Sequence, residues 1–178
     1  IGDEGLEYWA SAIPPSTRIS LIRLEVAANG ITSEGSNALG RILQHFGGDL
    51  QYLEMSGNQL GDAGVRILSP ILGSKMGALT LVGLHANSIG DDGASSLATK
   101  ALSNPAIAYV GLNKNQIGDG GAMALASAVA SKSSSVMTLK LNNNDIHDEG
   151  ARALGKTLFQ VRGRKQTRSE YDISSGAA

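Results

Sequence analysis

The stretch LQYLEMSGNQL, Leu50 to Leu60, decides how this chain folds. Leu53 and Met55 alternate with Tyr52, Glu54 and Ser56, the period of a strand with one buried side, and the run ends at Asn58, whose short amide suits a bend. The frame L-x-x-L-x-L-x-x-N-x-I/L also surrounds Asn29, Asn87, Asn115 and Asn144, so five asparagines are spaced by 29, 29, 28 and 29 residues. A period of that length means stacked units, because no single strand or helix in such a unit buries its apolar side alone.

Within each unit the apolar period changes from two to nearly four. Leu24 and Val26 fit a strand, whereas Leu39 and Leu43 mark one face of a helix; the later pairs are Leu68/Leu72, Leu97/Ala101, Leu125/Val129 and Leu154/Leu158, with Ala101 the weakest match. Each repeat is therefore one strand and one helix. Ile1, Gly5, Trp9 and Ile13 occupy the last slots of a partial unit at the start. Asp3, Ser33, Asp62, Asp91, Asp119 and Asp148 stand where each helix begins and are expected to cap it. The glycine two residues after each is expected to let the first turn lie close to its neighbours.

These residues resemble the leucine-rich repeat family, in its long class with repeats of 28 to 29 residues, the ribonuclease-inhibitor-like class. The resemblance covers Ile1 to about Leu158 and implies an α/β solenoid, a horseshoe with a parallel sheet on the concave face and helices on the convex face. It implies less about activity, because this class hosts inhibitors, receptors, GTPase activators and structural subunits. The expected division is residues 1–158 as the repeat array, one partial plus five full repeats, and residues 159–178 as a C-terminal cap and flexible basic tail carrying Arg162, Arg164, Lys165 and Arg168. Continuing the period would put Lys165, Arg168 and Glu170 in the strand slots, so the array is expected to stop. The chain opens in mid-repeat, so more chain or another subunit is expected over its N-terminal end.

Composition narrows the function classes. The 178 residues are 42% hydrophobic and 17% charged with a formal net charge of −1, and no apolar run is long enough to span a bilayer, so membrane insertion and bulk attraction to nucleic acid are not expected. There is no cysteine, which excludes thiol chemistry, and no N-x-S/T acceptor site, which leans towards an intracellular, cytoplasmic protein. Aromatic residues are 4%, few platforms for stacking bases.

No motif carries catalysis. Gly150 to Thr157, GARALGKT, satisfies the phosphate-loop pattern, yet Gly150 falls in the first turn of a helix and Leu154 in a core slot, where the backbone N–H groups cannot converge on a phosphate. Asp91-Asp92 and Asp148-Glu149 begin helices, where carboxylates favour the positive dipole end, and His45, His85 and His147 lack zinc-ligand spacing. No enzyme activity, cofactor, metal or small-molecule substrate is expected.

What remains is the concave face. The strand positions that alternate with the buried ones form three columns, from which the candidate partner-binding residues are Arg23, Glu25, Tyr52, Glu54, Leu81, Gly83, His85, Tyr109, Gly111, Asn113, Lys114 and Lys140. They describe acid at one end, base at the other, and a glycine floor at Gly83 and Gly111 flanked by Tyr52, Leu81 and Tyr109. The function expected is a non-catalytic scaffold that binds a protein partner there, within a larger assembly. The alternative, implied only by resemblance to the Ran GTPase activator's class, is an activator of a small GTPase, for which Arg23 is the sole arginine on the face. Inhibition of a basic ribonuclease fits poorly, because Glu25 and Glu54 are balanced by Arg23, Lys114 and Lys140.

Overall fold

The computed structural model describes residues 1–14, 17, 20–46, 48–74, 76–161 and 170–172. Along the chain these form α1 (Gly2–Ala12), β1 (Arg23–Glu25), α2 (Gly35–Phe46), β2 (Tyr52–Glu54), α3 (Gly61–Ser74), β3 (Leu81–Gly83), α4 (Asp91–Lys100), β4 (Tyr109–Gly111), α5 (Asp119–Ala130), β5 (Thr138–Lys140), α6 (Asp148–Val161) and β6 (Glu170–Asp172). The strands make one parallel sheet in chain order. The helices pack on one another in the same order, from α1 on α2 to α5 on α6. Neighbouring strands stand about 4.8 Å apart while packed helices need about 8–10 Å, so stacking bends the sheet inwards and puts the helices outside.

The core runs between the two layers. In the second repeat Leu53, Met55, Leu60, Leu68 and Leu72 are at most 1% exposed, and the equivalent slots of the first, third and fourth repeats are buried likewise, while Ile146 in the fifth is partly buried. Burying each such side chain contributes about 1.5–3 kcal/mol relative to exposure. The weak slot at Ala101 is resolved locally: α4 ends at Lys100, a 3₁₀ turn spans Ala101–Ser103, and Leu102 fills the core at 3% exposure. That tighter turn lies in the one repeat of 28 residues. Buried Asn104 ties it down, donating to the carbonyls of Leu72 and Met76 at 2.8 Å each.

The repeating asparagines stitch each unit to the one before. Asn58 Nδ2 donates to Met55 O in its own repeat (2.8 Å) and to Val26 O in the preceding one (2.9 Å), while its Oδ1 accepts from the N–H groups of Asn29 and Ile31, both at 3.0 Å. Asn115 does the same with Leu112 O, Leu84 O and the N–H groups of Asn87 and Ile89. Without these amides the bend would leave buried backbone groups unpaired. The residue just before each asparagine is left-handed, at Ala28 (φ 54°), Gly57 (70°), Ala86 (53°), Lys114 (55°) and Asn143 (58°). A β-carbon at such a position costs roughly 1–2 kcal/mol, offset here by the N–H that Ala86, for one, directs to Asn113 O at 2.9 Å.

The carboxylates at the helix starts work differently from the expectation. Asp91 and Asp119 are the first residues of α4 and α5, and the residues ahead of them, Gly90 and Gly118, make no side-chain cap. Each aspartate instead caps the following repeat. Asp62 Oδ1 accepts from the N–H groups of Gly90 (2.7 Å) and Gly93 (3.0 Å), Asp91 Oδ1 from Gly118 (2.7 Å), and Asp119 Oδ1 from His147 (2.8 Å) and Gly150 (2.9 Å). The repeat glycine is the other half of this joint: a Cβ on Gly93 would stand 2.6 Å from Asp62 Oδ1, and one on Gly150 2.7 Å from Asp119 Oδ1. The Asp119 carboxyl is held below the usual 3.8 chiefly by the His147 N–H, then by that of Gly150, against an opposing push from desolvation and with a further pull from the His147 charge.

Helix α6 contains the whole Gly150–Thr157 octad, with the Thr157 hydroxyl donating to Ala126 O and Ala153 O at 3.2 Å, so the segment is helix rather than a phosphate loop. That helix ends at Val161, three residues past the expected array boundary, and β6 adds a strand within 159–178. Glu170 pairs with Thr138, a spacing of 170 − 138 = 32 residues rather than 29, so Glu170 stands in the first strand position and not the third. Arg162, Arg164, Lys165 and Arg168 lie outside the described residues.

Candidate functional site: the open face of the sheet

Strict register assembles the face in columns. The first column runs Arg23, Tyr52, Leu81, Tyr109, Thr138, and the second Glu25, Glu54, Gly83, Gly111, Lys140, both pointing away from the buried Leu24, Leu53, Val82, Val110 and Leu139 between them. Just beyond the strands, Ser56, His85, Asn113 and Asn142 form a third column. It is linked along the backbone by the His85 N–H donating to Ser56 Oγ (3.2 Å) and the Asn142 N–H to Asn113 Oδ1 (2.9 Å).

Two clusters emerge. At the β1 end the Arg23 guanidinium pairs with Glu25 and lies 4.0 Å from the centre of the Tyr52 ring, so acid, base and aromatic neutralise one another. In the middle, Glu54 bends along the sheet: its Oε1 accepts from the Ser56 N–H (2.9 Å) and hydroxyl, and its carboxylate covers Gly83, where a Cβ would fall on it. The expected bare floor at Gly83 is thus filled by a neighbouring side chain. Gly111 is buried, and a Cβ there would stand in ordinary van der Waals contact with Tyr109 Cε1 at 3.4 Å, His85 Nδ1 at 3.5 Å and Gly83 Cα at 3.8 Å. His85 Nδ1 is buried and has no hydrogen-bond partner. Lys140 sits beside Gly111 on β5, and exposed Lys114 stands at the rim, on the left-handed bend after Asn113. Ser56, buried at 6%, was missing from the expected site although its column position was legible.

Surface depressions elsewhere have less to offer. One of about 580 Å³ runs along α1 past Glu4, Glu7 and Tyr8, and another of about 370 Å³ lies between α3 and α4 beside Arg66, Asp92 and Lys100; neither touches the sheet. Among the described residues no group of histidines and carboxylates is placed to hold a metal ion, and no helix is long and apolar enough to cross a membrane.

Comparison with known proteins agrees with the repeat geometry. The model of the Leucine Rich repeat family matches residues 49–69, 109–126 and 132–155. The chain is a leucine-rich repeat protein. The solved structure of the internalin InlF from Listeria monocytogenes superposes on this repeat protein with a TM-score of 0.53 at 20% identity, over 87% of this chain and 35% of that one, a likeness of fold. The chain thus spans about a third of the internalin's length. Actin-Binding Site 2 of leiomodin-1 aligns with a TM-score of 0.43 at 16% identity, over 91% of this chain and 92% of that one. No curated protein matches the sequence. Leucine-rich repeats in general mediate protein–protein interaction, and the parallel sheet with helices behind it is the α/β arrangement of the family.

Proposed function

We propose that this leucine-rich repeat protein is a non-catalytic scaffold, of the ribonuclease-inhibitor-like class, that holds a protein partner on its concave face as part of a larger assembly. The observation that carries the reading is the middle of that face: two half-buried tyrosines and Leu81 in one register row, next to Gly111, which adds no side chain to the face, and an unpartnered His85 nitrogen. Interface centres favour such aromatic anchors with charges at the rim, where Arg23, Glu25, Lys114 and Lys140 stand. An intracellular, cytoplasmic site of action belongs to the same proposal, on the weak lean given by the lack of N-x-S/T acceptor sites.

Activation of a small GTPase draws no support from Arg23, whose guanidinium is already committed to Tyr52 and Glu25. A stimulatory arginine has to reach the nucleotide. The scaffold reading is tested by capturing partners from native extract, with mass spectrometry, on the wild-type chain and on a folded Tyr52→Ala/Tyr109→Ala variant. A partner held by the wild type and lost from the variant supports it; equal recovery on both moves the working surface to the helices.

A further inference from the structure

We infer that Asn29 is a site of spontaneous covalent modification, at which the side-chain amide is lost as ammonia and the first bend of the solenoid becomes an aspartyl or isoaspartyl link.

Asn29 is the only asparagine of the chain followed by glycine; Gln59, Ser88, Gln116 and Asp145 follow its counterparts in the later repeats. The reaction starts when the backbone nitrogen of the next residue attacks the asparagine Cγ. A side chain on that residue obstructs the attack, and a hydrogen bond from that N–H holds the nitrogen back. In three later bends the nitrogen is held: the N–H groups of Gln59, Gln116 and Asp145 donate to the carbonyls of Ile31, Ile89 and Ile117 at 2.7, 2.8 and 2.8 Å. The Gly30 N–H has no hydrogen-bond partner among the described residues. Gly30 is also exposed and left-handed, at φ 68°, with open space where a Cβ would stand.

The amide under attack is freer as well. Asn58 is 5% exposed, and its side chain makes four hydrogen bonds to backbone groups. Asn29 is half-buried, and its Nδ2 donates to Ala27 O alone, at 2.8 Å, while its Oδ1 accepts from the Ile1 nitrogen. That donor points at the oxygen on which negative charge collects when Cγ becomes tetrahedral, so it assists the step.

In the first stage a bond forms between Gly30 N and Asn29 Cγ, the Gly30 N–H proton passes through water to Nδ2, and the Cγ–Nδ2 bond breaks to release ammonia and leave a cyclic imide. Water then opens the imide on either side. Addition at Cγ gives aspartate, and addition at the Asn29 main-chain carbonyl gives isoaspartate. Both products lose the donor to Ala27 O and place a negative charge in the bend after β1. Isoaspartate also lengthens the main chain by a methylene between two N–H groups, those of Asn29 and Ile31, that share Asn58 Oδ1. The joint between the first and second repeats is therefore the one that alters with age.

The test is to hold the full chain at neutral pH and body temperature and to follow every asparagine by peptide mapping with mass spectrometry. Asn29 is expected to convert at least about tenfold faster than Asn58, Asn87, Asn115 or Asn144 in the same sample. Its rate should climb with pH, because the attacking nitrogen has to shed its proton. Gly30→Ala, at a left-handed position of the kind alanine already holds at Ala28 and Ala86, should slow the conversion at least about tenfold. Amide exchange should quicken at Ile31 as product accumulates and stay unchanged in β4 and α5. Conversion of Asn29 no faster than that of its counterparts overturns the proposal, and this comparison is internal to the wild-type chain, so it stands whether or not the variant folds. A native rate more than about a hundredfold below that of the free peptide Ala27–Thr32 overturns it too, because the fold would then be protecting the bond.

Discussion

Two polar rows run side by side across the repeats, two residues apart in sequence, and they are used in opposite ways. The row at the bend, Asn58, Asn87, Asn115 and Asn144, sits at 8% exposure or less in its first three members, and both ends of each amide are bonded to backbone. The row on the face, Ser56, His85, Asn113 and Asn142, ties neighbouring strands together yet leaves His85 Nδ1 without a partner. A position whose hydrogen-bonding capacity is consumed by its neighbours holds the solenoid together. A position on the face with capacity left over is one the solenoid does not need for its own cohesion.

The largest test of that contrast pits Asn115 against Asn113. Asn115→Ala strips the side-chain partner from two buried carbonyls, Leu84 and Leu112, and two buried N–H groups, Asn87 and Ile89, and is expected to lower unfolding free energy by about 3 kcal/mol or more, while Asn113→Ala, which loses one strand link, should cost about 1 kcal/mol or less. Chemical denaturation with the slope held constant decides it; equal losses would erase the distinction between the rows. Next in size, Asp62→Ala frees the N–H groups of Gly90 and Gly93 and should cost about 1–2 kcal/mol, the value of a helix cap, even though the helix affected belongs to the following repeat. Amide hydrogen exchange would then quicken at the start of α4 and not of α3.

One joint supplies an internal control. Ser33 takes the aspartate slot in the first repeat, and the loop it faces differs: Gly61 has φ 55° and sends its N–H to Asn87 O, whereas Gly90 and Gly118, which meet a carboxylate, have φ −100° and −95°. Helix α3 accordingly starts at Gly61, one position early in the repeat frame, and the Gly64 N–H bonds Leu60 O in its own turn. Ser33→Asp should install the missing clamp and raise stability by up to about 1 kcal/mol. A smaller effect comes from pH. The folded-state Asp119 carboxyl titrates below 3.8, so its contribution is complete above that value and is lost as pH falls further. The denaturation midpoint should drop less on acidification below 3.8 in Asp119→Asn than in the wild type.

The fold was legible because the asparagine period and the switch from alternating to four-spaced apolar residues each demand one strand and one helix per unit. The direction of the aspartate caps was not. Asp62 stands two residues before Gly64 and 31 before Gly93, and only the stacked structure shows that the carboxylate serves the distant glycine. Gly83 and Gly111 read alike for a related reason: a glycine announces a missing side chain, not whether a long neighbour such as Glu54 will occupy the space. Strand β6 escaped because its 32-residue offset from β5 breaks the 29-residue frame on which the reading relied.

The most direct measurement is the affinity of a captured partner for the wild-type chain and for Gly111→Ala, with unfolding curves recorded on both. A Cβ at Gly111 meets only ordinary contacts, so the variant should unfold within about 0.5 kcal/mol of the wild type, while partner affinity falls at least about tenfold, or 1.4 kcal/mol. Unchanged affinity in a variant that folds equally well would contradict the account.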